Sequence, residues 1–537
     1  MRHQARAAGE APVRLPLPER SRGSAASTSR ELRQVAHTAG SQRVLVGTRS
    51  HRDVAGVAGE LRRLGAARLE AFRTIGVLAA RVPSGEALVE ALRGDPRVGY
   101  VERDRKLRIS QDPFDTVDAQ TGLKFTWSFD DVRAADALAA AGGGSSRTVA
   151  VIDTGLDTGH PEFAGRVART FDTATGSGDV TDLVGHGTFV TGLVAAVDGN
   201  GIGGKGVAGN TKVVAVRASI DGGFTVGDLI RGIEFSIERG ADVINLSLAG
   251  PGFSQSSARA LEAAFFADVL PIAASGNNAL EGNPIEFPAA ALGGLRGRRG
   301  IGLSVGATRP SGAVADFSTH NEFVSLAAPG AGPAGCEFGV FSTLPLSSGD
   351  WDTPGSCSNT FADLGARFAY GEGTSFSAPI VSGIAALVWQ VERRLASEQV
   401  ADVLVRSARQ TMGSEWNEFT GSGIVDGKAA TDLARTYDVT APRVHAKARR
   451  RGSSVNVRLR RATDRTEAGR ELAGHVTYGL LLSRDGGRSF GVVVGQRTRP
   501  FRKSVRLRGR RANVLIGTVC DANGNCGVKR LGRFKAG

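Results

Sequence analysis

The sequence predicts an α/β core built on a doubly wound parallel sheet, with a small α+β unit before it and a small β-sandwich after it. Three observations carry this expectation. Between residues 111 and 442, short apolar runs alternate with helical patterns, as expected of strands buried on both faces and covered by helices. Residues 43–104 read strand, helix, strand, strand, helix, strand, which is the ferredoxin-like order. Beyond residue 442, apolar and polar residues alternate around turn signals, as in antiparallel sandwiches. A chain of 537 residues is also too long for one hydrophobic core.

Residues 1–40 are rich in Arg, Ala, Ser and Pro without periodicity, and are expected to be disordered. The α+β unit is placed at 41–110. It opens on the strand "RVLVGT", followed by a helix with Val54, Val57, Leu61 and Leu64 on one face. "LEAFRTIGVLAARVP" reads as two strands and a turn, Ser84 is the expected N-cap of a second helix, and "VGYVERD" is the closing strand. The central domain is placed at 111–438. Its expected strands are "TVAVIDTG", "KVVAVRA", "ADVINLSLAG", "VLPIAASGNN", "GLSVGAT" and "FVSLAAPG". Its expected helices begin at "GHGTFVTG", "TVGDLIRG" and "SSARALEA". The last domain is placed at 439–537.

The net charge of +14 is unevenly distributed. From Arg443 onward there are 24 basic and 5 acidic residues, and residues 1–110 hold 21 basic and 11 acidic. The middle is therefore acidic between two basic flanks, which suggests attraction within the chain or toward an anionic polymer or cell envelope. Neither a helix-turn-helix nor an aromatic stacking platform accompanies the basic tail, so nucleic acid is not the expected partner. No uninterrupted apolar run is long enough for a transmembrane segment. The N-terminal stretch has no apolar h-region, so no signal peptide is visible. Cys336 with Cys357 and Cys520 with Cys526 would close two short loops, a pattern suited to disulfides and an oxidising compartment. Asp521, Asn523 and Asn525 read as a polar turn rather than a calcium site.

The chemistry resides in the middle domain. "GEGTSFSAPIVSG" offers serines at 375, 377 and 382. A serine nucleophile needs a base, and the base needs an orienting carboxylate. Three histidines lie between 111 and 442. His186 sits between glycines at a helix start, whereas His160 and His320 read as turn or loop residues. Asp153 ends the strand "VAVI", where an unpaired charge would be costly. Asn277 ends another buried strand and carries an amide donor suited to a developing oxyanion. In the order Asp153, His186, Asn277, Ser375, the blocks "VIDTG", "GHGTFVTG", "NLSLAG", "AASGNN" and "GTSFSAPIVSG" resemble the subtilisin-like serine proteases (subtilases) over roughly 113–435.

That resemblance implies a serine endopeptidase. Ser375 would be the nucleophile, His186 the general base and then acid, and Asp153 its orienter. Asn277 would form the oxyanion hole with the Ser375 N–H. Ser247, Leu248, Ala249 and Gly250, together with Ala274, Ser275 and Gly276, match segments that bind an extended substrate as an added strand. Residues 43–110 resemble the family's inhibitory propeptide, with cleavage near Ser110, Gln111 or Asp112. Phe189 and Phe376 depart from the family pattern and read as packing variation that touches no catalytic atom. The reaction requires no cofactor. Structural calcium is common in the family, and Asp198 and Asn200 lie in a segment that resembles one near such a site. The expected partners are protein or peptide substrates and the chain's own propeptide, acting as a monomer outside the cell. The rival reading is a non-enzymatic member that binds through its basic C-terminal domain, with the tail on an anionic surface.

Overall fold

The computed structural model describes residues 42–82, 92, 94–104, 106–109, 127–198, 200, 205–333, 339–347, 361–363, 366–411, 413, 415–462, 477–484, 491–508, 513–521, 523 and 525–535. These residues divide into two compact units, one running to Arg435 and the other starting at Thr436. Ser84, Cys336 and Cys357 lie outside the described residues.

In the first unit, β1 (Gln42–Thr48), β2 (Ala67–Phe72), β3 (Val77–Val82) and β4 (Val98–Arg103) form an antiparallel sheet of order β2-β3-β1-β4. Helix α1 (Val54–Arg63) buries Val54, Val57, Ala58 and Leu61, the spacing of one helical face. That stripe packs with Val44, Val46, Leu78 and Ala80 from one face of the sheet. Leu45, Phe72, Val77, Ala79 and Tyr100 join a different core, because side chains on neighbouring strand positions point to opposite faces.

That second core belongs to a seven-stranded sheet. It comprises β6 (Thr148–Asp153), β7 (Val167–Asp172), β8 (Lys212–Arg217), β10 (Val243–Leu246), β12 (Leu270–Ala274), β14 (Leu303–Thr308) and β15 (Leu326–Pro329), in the order β15-β14-β12-β10-β6-β8-β7. All its pairings are parallel. Strands β10, β12 and β14 are buried at every residue, so their sequences read as continuous apolar runs rather than alternating ones.

Four longer helices bear on the site. They are α2 (His186–Ala195), α3 (Val226–Glu238), α4 (Gln255–Phe266) and α5 (Thr374–Val391). Helix α3 is capped by the Thr225 hydroxyl, which accepts from the Asp228 N–H at 3.1 Å. Helix α4 is capped by Ser254, whose hydroxyl accepts from the Ser257 N–H at 3.1 Å. Helix α5 is long and apolar because it runs through the core, not because it crosses a membrane. Its first sixteen residues, Thr374 to Trp389, are buried.

A second sheet crosses the edge of this core. Strand β5 (Lys106–Ile109) lies between β9 (Gly223–Thr225) and β11 (Leu248–Pro251), antiparallel to both, and β11 also pairs with β13 (Glu286–Phe287). The run "ADVINLSLAG" is thus two strands rather than one. β10 stays in the parallel sheet, Ser247 breaks the run, and β11 turns into the second sheet. A small antiparallel sheet, β16 (Val340–Leu344), β17 (Phe361–Asp363) and β18 (Ala366–Gly371), precedes α5.

The second unit contains two antiparallel sheets. One has the order β19-β20-β23, from β19 (Ala446–Arg451), β20 (Ser454–Leu459) and β23 (Arg502–Arg506). The other has the order β22-β21-β24-β25, from β21 (Thr477–Ser483), β22 (Gly491–Arg497), β24 (Asn513–Cys520) and β25 (Cys526–Phe534). Val455, Val457 and Leu459 of the first meet Tyr478, Leu480, Leu515 and Val519 of the second in one core, as in a sandwich. A Cys520–Cys526 disulfide closes the β24–β25 turn. Within that turn the Asp521 carboxylate accepts from the backbone N–H groups of Asn523 and Asn525 and from the Asn525 amide.

Candidate active site

Asp153 is the last residue of β6 and His186 the first of α2, and both are fully buried. Two glycines bring them together. Gly185 precedes the helix at φ 96, a conformation open to glycine at little cost. Gly187 faces the loop after Asp153, where a Cβ would stand 2.2 Å from the Gly155 carbonyl oxygen. No larger residue allows that approach. The result is a hydrogen bond of 2.7 Å between His186 Nδ1 and Asp153 Oδ1. The same carboxylate oxygen accepts from the Thr154 N–H at 2.7 Å. His186 Nε2 is buried and has no hydrogen-bond partner.

Ser375 is the second residue of α5, where free N–H groups face outward and favour negative charge. Its hydroxyl donates to the Ser247 carbonyl at 3.3 Å, and the Ser247 hydroxyl donates back to the Ser375 carbonyl at 2.6 Å. The second bond has a clear cause. Pro379 is the sixth residue of the helix. It therefore removes the N–H that the Ser375 carbonyl would otherwise accept, and Ser247 supplies the substitute.

Asn277 follows β12. Its Oδ1 accepts from the Thr374 N–H at 3.0 Å and the Thr374 hydroxyl at 2.8 Å. These bonds set the orientation of the amide, with its oxygen toward α5 and its NH₂ as the opposite end. Ser377 and Ser382, the competing serines, are tied elsewhere. Ser377 donates to the Ala328 and Pro329 carbonyls, and Ser382 bonds the Ala378 carbonyl and Asn245. His160 accepts from the Glu162 N–H, and His320 lies 4.6 Å from the Phe419 ring.

Of the two expected substrate-binding segments, residues 248–250 lie in β11, where Leu248 stands opposite Ile109 and Ala249 opposite Arg108 of β5, and Gly250 opposite Phe287 of β13. Residues 274–276 do not pair with β5. They are held by bonds from the Ser275 hydroxyl to the Thr319 carbonyl and from the Gly276 N–H to the Thr374 hydroxyl. The second neighbour of β5 is β9, residues 223–225, which sequence reasoning missed. Three residues in "DGGFTVGD" carry no strand signal of their own. Phe376 is also closer to the chemistry than expected. Its ring centroid lies 5.6 Å from that of His186 and 4.4 Å from that of Phe189.

The N-terminal sheet meets the helices around the cleft through carboxylates. Glu102 accepts from the Ser254 hydroxyl and from the N–H groups of Gln255 and Ser256 at the start of α4. Asp104 accepts from the Gly227 N–H at the start of α3 and pairs with Arg43. Both carboxyls are pushed up by burial, against the pull of these partners. Asp198 pairs with Lys205, and the Asn200 amide donates to Glu162. Among the described residues, no group of three His, Cys, Asp or Glu side chains converges as a metal site.

A buried Asp153–His186 pair and a serine at a helix start are the residue types that nucleophilic hydrolysis requires. Comparison with known proteins agrees. The family model described as "Subtilase family" matches residues 144–423. The chain is 32% identical over 335 residues to "Thermophilic serine proteinase" from Bacillus sp. (strain AK1), covering 60% of this chain and 72% of that one. It is 33% identical to "Alkaline protease" from Alkalihalobacillus alcalophilus, covering 68% of this chain and 81% of the relative. The structure of fervidolysin from Fervidobacterium pennivorans, a keratinolytic enzyme related to subtilisin, superposes with a TM-score of 0.59 at 18% identity. That match covers 92% of this chain and 91% of the other, and it speaks to fold alone. The chain belongs to the subtilase family, and it is a serine-type endopeptidase.

Proposed function

We propose that the protein cuts peptide bonds through Asp153, His186 and Ser375 and is made as a self-processing zymogen whose inhibitor is its own residues 42–110. The observation that carries this reading is β5, which lies between β9 and β11, its Ile109 opposite Leu248, next in sequence to the Ser247 that exchanges hydrogen bonds with Ser375. A peptide held this way is recognised through its main chain. The carboxylates of Glu102 and Asp104 at two helix starts anchor the same segment.

In the proposed reaction, the Ser375 hydroxyl leaves the Ser247 carbonyl and turns to His186 Nε2. That exchange of one neutral hydrogen bond for another costs about 1 kcal/mol or less. Ser375 Oγ attacks the scissile carbonyl while its proton passes to Nε2. Asp153 holds the tautomer and stabilises the imidazolium. The Asn277 NH₂ and the Ser375 N–H receive the oxyanion. Nε2 then protonates the leaving amine, the acyl-enzyme forms, and water releases the acid by the same steps in reverse.

The proposed self-cleavage falls near Ser110, Gln111 or Asp112, which follow β5 in the sequence and lie outside the described residues. We further propose that the enzyme works outside the cell, a setting with which the Cys520–Cys526 disulfide is consistent. Casein hydrolysis by wild type and Ser375→Ala tests the catalytic assignment. The variant is expected to be inert, and equal activity of the two would overturn it.

A further inference from the structure

We propose that the outer face of the β19-β20-β23 sheet binds a linear acidic polysaccharide, holding the protease on an anionic matrix through a site separate from its cleft. The register assembles the site. Lys447 lies opposite Arg458, which lies opposite Arg502. Arg449, Asn456 and Ser504 form the next row on the same face, and Arg451, Ser454 and Arg506 the one after. The opposite face of the sheet carries Val455, Val457, Leu459 and Val505 into the sandwich core. All six cations are exposed, and none of the six is in an ion pair among the described residues. Of the five acidic residues from Arg443 onward, Asp521 is engaged by its own turn, and Asp464, Glu467, Glu471 and Asp485 lie outside the described residues.

Like charges set directly opposite one another on a sheet destabilise it, and ordinary surfaces intersperse the two signs. Protection of sheet edges explains cations on β19 and β23. It does not explain Arg458, which stands on the central strand. An anion relieves all of these repulsions together. Across the strands the Lys447–Arg458–Arg502 row offers a cation about every 5 Å, comparable with the length of one sugar residue. Arginine forks also suit carboxylate and sulfate groups. The face carries no aromatic ring on which a base could stack. It carries no large apolar side chain to enter a bilayer.

The test uses the full-length chain in a Ser375→Ala background. It compares Lys447→Ser/Arg458→Ser/Arg502→Ser with a control of equal charge loss on the other sheet, Lys529→Ser/Arg530→Ser/Arg533→Ser. Binding to polygalacturonate, dextran sulfate and neutral dextran is measured at 0.15 M salt. Anionic phosphatidylglycerol vesicles and duplex DNA serve as alternative partners. The first triple variant is expected to bind both acidic polysaccharides on the order of 10- to 100-fold more weakly. The control should change little, neutral dextran should not bind, and both variants should keep the parent thermal transition. Equal losses in the two variants would reduce the site to net charge and overturn the proposal. So would tighter binding, per negative charge, to vesicles or to DNA.

Discussion

Replacing Glu234 with glutamine tests whether docking of the N-terminal unit is linked to protons. Glu234 is on α3, and its Oε1 is buried without a hydrogen-bond partner. Burial, and then the nearby charges of Glu238 and Glu70, push its pKa from the ordinary 4.5 up to about 7. Glu70, Glu102 and Asp104 of the docked unit are also raised, in each case by burial first. The docked state therefore holds protons that a released, solvated state gives up. Docking is at full strength below the free carboxylate value, weakens as pH rises toward about 7, and levels off above it. A full shift of this size would change affinity by more than a hundredfold, but Glu234 is only half-buried, and solvent screening reduces its share to about tenfold. The assay is inhibition of the mature enzyme by separately made residues 42–110 at pH 5 and pH 8. Wild type should lose at least that factor between the two. Glu234→Gln should bind within about threefold of wild type at pH 5 and about tenfold tighter at pH 8. Identical pH slopes for the two proteins would show that Glu234 takes no part in the linkage.

Three further outcomes follow from the site. Asn277→Ala should lower kcat about 10²- to 10³-fold with little change in KM, a magnitude known from subtilisin rather than worked from this structure; steady-state kinetics on a peptide substrate checks it. Ser247→Ala should leave the Ser375 carbonyl without a donor and cost about 1–3 kcal/mol of stability, read as a lower Tm. An unchanged Tm would show that water replaces the hydroxyl. Gly187→Ala should disrupt the approach to Gly155 and with it the 2.7 Å His186–Asp153 bond; a well-folded variant with full activity would contradict that account of the glycine.

The sequence made the parallel sheet legible because its strands are buried on both faces, and runs such as "VAVI" and "VINL" have no polar alternative. Asp153 stood out for the same reason, as a charge at the end of such a run. The division of "ADVINLSLAG" into β10 and β11 was not legible, because both halves are apolar and the break at Ser247 is set by a tertiary bond. That bond answers Pro379, more than a hundred residues away, so no local pattern reports it. β9 escaped notice because its three residues become a strand only when β5 lies alongside. Phe376 and Phe189 looked like independent departures from a motif, yet the fold packs the two rings together and Phe376 against His186.

The most direct test of the account is the N-terminus of the mature protein, with Ser375→Ala made in parallel. Wild type is expected to shed the α+β segment that ends at β5 and to begin near Gln111, while Ser375→Ala keeps that segment attached. Cleavage of Ser375→Ala at the same bond, or an active wild type that still carries residues 42–110, would contradict it.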